Sequence, residues 1–182
     1  IGMYFLGREI FKNNKIGLIS SALYVIFPMA LVYDRMALYD SLVGSFAVWS
    51  LYLITLSARK VRLDIALILG MVIGGGVLTK TNAFFSIYLL PVSLVLFNFA
   101  GKDKKERLLK WIVLVILATM LAYGFYSILR LSPFFNIINE KNAIFVYPLK
   151  EWLEHPFNFL VSNSRAFIDW TNRYLTWPLL VL

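Results

Sequence analysis

The sequence predicts an all-α polytopic membrane protein, and three observations carry that reading. Of its 182 residues, 60% are hydrophobic and 15% charged, with a mean hydropathy of +0.73, whereas ordinary soluble domains are roughly half apolar and a quarter charged. Five stretches, 16–33, 41–58, 65–79, 81–101 and 111–129, contain no charged residue. The basic residues between them gather in alternate loops. With 15 Phe, 10 Tyr and 5 Trp, too little polar surface remains to coat a globule, which excludes a soluble enzyme and a disordered chain alike. There is no Cys, and His155 is the single histidine, so a disulfide framework, a thiolate metal site, a cysteine nucleophile and a multi-histidine centre are excluded too. The net charge of +8 would suggest nucleic acid in a soluble protein. In a multispan protein it belongs to loops facing the cytoplasm, so the expected partners are membrane lipids and no nucleic acid.

Each charge-free stretch is a candidate span, because some 20 residues rising about 1.5 Å each cross a hydrocarbon core of roughly 30 Å. With their flanks, the five expected spans run over about 16–33, 38–58, 63–80, 82–100 and 109–131. The apolar pieces 1–6 and 174–182 are too short to cross and read as partial helices. Residue 1 is Ile, and no charged n-region or cleavage site follows. The chain 1–182 therefore reads as one transmembrane domain that is a fragment of something longer.

Orientation follows from charge. Arg8, Lys12 and Lys15 precede the first span, Arg59, Lys60 and Arg62 separate the second from the third, and Lys102, Lys104, Lys105, Arg107 and Lys110 separate the fourth from the fifth. These loops alternate, so all share one side, which the positive-inside rule makes cytoplasmic, as in a multi-pass protein of the plasma membrane. Segments 34–40 and 132–173 then face outward, with Asp34, Asp40, Glu140, Glu151, Glu154 and Asp169. Segment 132–173 mixes Pro133, Pro148 and Pro156 with Phe134, Phe135, Ile138, Phe145, Tyr147, Trp152, Leu153, Phe157, Phe159, Phe167, Ile168 and Trp170 among charged residues. That pattern suits short helices lying in the membrane interface and roofing a site.

Three constellations could carry chemistry. In Tyr33-Asp34-Arg35-Met36-Ala37-Leu38-Tyr39-Asp40-Ser41-Leu42 two carboxylates and a guanidinium meet where the membrane begins. A carboxylate there suits general-base work and an Arg suits phosphate. The same residues also fit a plain role, with Asp40 as an N-cap and Arg35 snorkelling from a helix end. Lys80, in the next outer turn, could hold an anionic headgroup or a leaving phosphate, or simply snorkel. Gly70-Met71-Val72-Ile73-Gly74-Gly75-Gly76 has small-residue spacing for close helix approach. It lacks the preceding strand and following Lys-Ser/Thr of a phosphate loop. His155 has no second histidine to work with, and Trp111, Trp152, Trp170 and Trp177 fit an interfacial aromatic belt.

Read together, these stretches resemble the integral-membrane C-type-fold glycosyltransferases of the protein O-mannosyltransferase and aminoarabinose transferase family. Phe5-Leu6-Gly7-Arg8-Glu9-Ile10-Phe11 resembles the end of that family's second helix, and 33–42 its Tyr-Ser-Arg-Leu-Ala-Arg-Pro-Asp-Ala-Leu segment. There Arg35 and Asp40 match, while Leu38 and Tyr39 depart from Arg and Pro. Gly70 to Lys80 resembles the glycine-rich helix ending in Leu-Leu-Thr-Lys, and Tyr174-Leu175-Thr176-Trp177-Pro178-Leu179 the start of a later helix.

The resemblance implies a membrane glycosyltransferase that moves a sugar from a polyprenyl-monophosphate donor to an acceptor hydroxyl of a protein, lipid or glycan, on the extracytoplasmic face and with inversion. Asp40 and Asp34 would be the catalytic carboxylates, Asp40 activating or orienting and Asp34 assisting it or pairing with Arg35. Arg35 and Lys80 would hold the donor phosphate, and a divalent metal ion is a possible cofactor. The family's principal catalytic Asp lies between its first and second helices, so it is expected upstream of residue 1, and this fragment alone is expected to be inactive. The competing readings are a transporter or lipid flippase, disfavoured by the charge-free spans, and a purely structural subunit.

Overall fold

The structure, a computed structural model, describes residues 1–36, 38–99, 103–145 and 148–180. Ala37, Lys102 and Tyr147 lie outside the described residues, as do the side chains of Ile138, Phe145, Trp152 and Trp177. Every regular element among the described residues is helical.

Helix α1 (Gly2–Phe11) turns at Lys12, in the left-handed region, into α2 (Asn14–Ile26). The Asn13 side chain caps α2 by accepting from the Lys15 backbone N–H at 2.8 Å, which satisfies one of the free amides of its first turn. The expected first span then breaks. Phe27 is extended and Pro28 opens α3 (Pro28–Arg35), which is bent 62° from α2. The bend is local chemistry, because proline pushes its predecessor out of the helical region and supplies no amide for the ladder, yet fits the first helical position well.

Helix α4 (Tyr39–Lys60) starts with Asp40 in its first turn and ends on Arg59 and Lys60. Both signs oppose the helix dipole favourably. Leu38, not Asp40, is the N-cap residue, and it provides no side-chain cap. Asp40 lies inside the helix, which corrects the capping role expected from sequence. Helix α5 (Leu63–Thr79) stops where Lys80 turns extended. A 3-10 turn (Thr81–Phe84), α6 (Phe85–Val92) and a second 3-10 turn (Ser93–Leu96) follow, with Pro91 inside α6. Helix α7 (Lys104–Ser127) is extended by a 3-10 turn to Leu131.

Among the described residues, the length and composition of the helices do not confirm the expected count of about five full spans. Tyr39–Lys60 and Lys104–Leu131 are long and apolar enough to cross a membrane, and the bent α2–α3 pair makes a third if it counts as one span. Leu63–Thr79 and Thr81–Leu96 are apolar but shorter, below the usual twenty residues. Toward the C-terminus, α8 (Phe135–Phe145) and α9 (Leu149–Glu154) are short, while α10 (Leu160–Leu180) is one continuous helix.

The core forms where α5 lies between α4 and α7, around Leu53, Ile54, Leu69, Ile73, Val77, Leu90 and Ala118. The glycines make this approach possible. A Cβ on Gly74 would lie 2.7 Å from Phe125 Cβ on α7, one on Gly70 2.9 Å from the Ala118 carbonyl oxygen, and one on Gly75 2.8 Å from Phe46 on α4. Gly74→Val is therefore expected to cost about 1–3 kcal/mol, the usual price of overpacking, and to lower the thermal midpoint in detergent. An unchanged midpoint would show that α5 and α7 part freely.

At the far end of α4, Arg59 donates to the Glu9 carboxylate at 3.0 Å and Lys12 pairs with the same group. Burial raises the pKa of Glu9, but these two cations outweigh it and hold the carboxyl below its usual range. Arg107 donates to the Arg59 carbonyl at 3.4 Å. The ends of α1 and α4 and the start of α7 thus gather basic residues at one pole of the bundle, and the Asp40 end of α4 forms the other.

Candidate active site

Helices α4 and α5 run antiparallel and in contact, so the first turn of α4 and the residue after α5 meet. Lys80 Nζ lies 2.5 Å from Asp40 Oδ1, and the two side chains are 46% and 48% exposed. An ion pair that open to solvent contributes about 1 kcal/mol at most. Its place is set by helix packing, and both groups remain accessible to a ligand.

Asp40 lines a cavity of about 410 Å³. The α2–α3 elbow supplies Tyr24, Phe27, Met29, Ala30, Tyr33 and Asp34, α4 supplies Asp40, Ser41 and Gly44, and α10 supplies Trp170. The phenol of Tyr24 donates to Asp34 Oδ2 at 3.4 Å. The Ser41 hydroxyl oxygen is buried and, among the described residues, has no hydrogen-bond partner. At Gly44 an added Cβ would meet nothing within 4 Å, so the missing side chain keeps the wall open.

Two further hollows adjoin this one. One of about 480 Å³ shares Asp34 and Ser41 with it, and one of about 330 Å³ shares Tyr24. Ser45 belongs to both of these hollows, and the second continues along α4 past Val48 to Trp49, walled by Met3 and Val25. The polar end therefore adjoins a largely apolar hollow along one face of α4.

Of the residues expected from sequence, Asp34 and Asp40 line one cavity and Lys80 sits on Asp40. Arg35 ends α3 exposed and pairs with no other described residue, and Asp34 is bonded to Tyr24 rather than to Arg35. Tyr24, Ser41 and Gly44 were not singled out for the site, and Trp170 was named only among the many aromatic residues of the segment expected to roof it. Gly44 was within reach of pattern reading, since it lies one helical turn from Asp40. Asp34 and Asp40 are oxygen donors of the kind that a hard divalent cation takes together with phosphate. Among the described residues no group of three or more His, Cys, Asp or Glu converges as a metal site.

A family model described as dolichyl-phosphate-mannose-protein mannosyltransferase matches residues 1–127. The chain belongs to this family. No curated protein and no solved structure matches it. Family membership makes this a membrane protein of glycosyltransferase type, in keeping with its long apolar helices. The part that the family shares runs from α1 through α7, and so contains Asp34, Arg35, Asp40 and Lys80. Helices α8 to α10 lie beyond it.

Proposed function

We propose that this pole of the bundle handles a polyprenyl-monophosphate sugar, whose sugar passes to an acceptor hydroxyl of a protein, lipid or glycan on the extracytoplasmic face of the plasma membrane. The observation that carries this reading is the half-exposed Asp40–Lys80 pair at the rim of a cavity that adjoins a largely apolar hollow. A lipid-linked sugar has the same order of chemistry, with a polar sugar, an anionic phosphate and a long hydrocarbon. From Asp40 to Trp49 this face of α4 runs for roughly 13 Å at the helical rise, room for the first isoprene units.

In the reaction, the acceptor oxygen bonds to the anomeric carbon from the face opposite the phosphate, and the bond from that carbon to the phosphate oxygen breaks. The electron pair leaves with the polyprenyl phosphate, and the configuration inverts. A neutral hydroxyl is a poor nucleophile, so its proton must pass to a carboxylate. Asp40 orients the acceptor or takes that proton, and Asp34, held by Tyr24, assists. Lys80 neutralises the growing charge on the phosphate, exchanging Asp40 for the donor as it does so. Arg35, exposed at the end of α3, reaches the phosphate from the other side of the turn.

The test is transfer by the purified full-length protein in detergent or nanodiscs. Radiolabelled polyprenyl-phosphate mannose is supplied in one arm and a nucleotide-activated mannose in the other, mannose being the sugar in the family's description. Label is expected to reach an acceptor from the lipid-linked donor alone. Transfer from the nucleotide sugar without lipid would overturn the assignment of the hollow.

A further inference from the structure

Trp170 enters the cavity from a part of the chain that the family match does not include. It lies near the middle of α10, which touches α3. It lines the same cavity as Asp34 and Asp40 while remaining 55% exposed. Its ring pairs with that of Tyr174 at 5.3 Å, tilted by 58°. The charged half of the site, Asp34, Asp40 and Lys80, comes from residues 1–127, whereas this aromatic surface comes from beyond them.

We infer that Trp170 is the platform on which a sugar ring packs, and so a specificity-determining residue of this site; the inference rests on the transferase reading above. The chemistry supports it in two steps. A pyranose ring turns most of its hydroxyls outward around its edge and leaves C–H groups on its faces, so one face is apolar. An indole is the largest flat apolar surface that a protein can offer, and covering that face with it removes both from water. An axial hydroxyl on the covered face would leave a polar group pressed against carbon with nothing to bond. Sugars that differ only in the orientation of one hydroxyl are therefore sorted by such a platform, while the carboxylates and the lysine act on atoms that every sugar of this kind shares. An anchor in the membrane interface, the role that its position in the sequence suggests, would need no place on the wall of the carboxylate cavity. The sugar is either the donor's or that of a glycan acceptor, and kinetics separates the two.

In the full-length protein, Trp170→Ala is expected to raise one KM about tenfold while kcat stays within about threefold, with Trp170→Phe close to wild type because a smaller flat ring remains. A rise confined to the donor KM assigns the platform to the donor's sugar, and a rise confined to the KM of a glycan acceptor assigns it to the acceptor. If wild type transfers sugar and neither KM of Trp170→Ala moves by more than about twofold, Trp170 only holds α10 in place and the inference is wrong. If wild type transfers nothing from any polyprenyl-phosphate sugar, the functional reading fails instead. The platform is then judged by titrating indole emission with methyl mannoside and with polyprenyl-phosphate mannose in bicelles. Quenching in wild type that Trp170→Ala and Trp170→Phe both lack puts the sugar on this indole and supports the platform, and identical titrations in wild type and Trp170→Ala overturn it.

Discussion

Asp40→Asn in the full-length protein is expected to lower sugar transfer about a hundredfold or more, the usual weight of a group that moves or steers a proton. Expression and thermal midpoint are expected to stay unchanged. The side chain is half exposed and its one ion pair is open to water, so little stability is at stake. Lys80→Gln is expected to cost a comparable factor by leaving the departing phosphate without its cation. If the two residues act as one unit, the double variant falls little further than either single one. Strictly multiplicative losses would instead place Lys80 outside the chemistry of Asp40. Unchanged turnover in Asp40→Asn removes Asp40 from the site altogether.

The second large effect comes from filling space rather than removing charge. Gly44 sits on the cavity wall where an added Cβ would meet nothing, so Gly44→Ala fits and is expected to leave transfer within a few-fold. Gly44→Trp fits the helix as well, since bulk there projects into the cavity, and the protein should fold and purify normally. Its indole would then occupy the space where the polar end adjoins the apolar hollow. Transfer is expected to fall about a hundredfold, with weaker binding of the donor, in line with the sensitivity of reacting groups to displacement by a neighbouring side chain. Full activity in Gly44→Trp would show that the donor enters by another path.

The membrane class of the fold was legible because composition and charge-free runs report directly on the solvent that a chain is built for. That Lys80 lies at the same pole as Asp40 was legible too, since successive hairpin turns of antiparallel helices fall at alternate poles, but their direct pairing was not. The number of spans was not. A charge-free run says nothing about a 62° elbow at Pro28 or about the 3-10 turns around α6, which shorten helices without adding a charge. The proline itself was the available signal. That Trp170, of the aromatic residues expected to roof the site, would line the cavity could not be found by spacing, because α10 reaches α3 through tertiary packing that no local pattern encodes. The partner of Asp34 was missed for a related reason, as Tyr24 comes back to it only because of the elbow.

That elbow divides the wall of the cavity into two unlike halves. Helix α3 has no buried residue, whereas α4 and α5 are set in the core. Proline removes the hydrogen bond that would splice α3 rigidly to α2. The cavity thus has two unlike walls. The core wall carries Asp40 on α4, with Lys80 brought to it from the end of α5. The elbow wall carries Asp34, with Arg35 next to it at the end of α3, so a change in the angle at Pro28 would move that wall and leave the pair opposite in place.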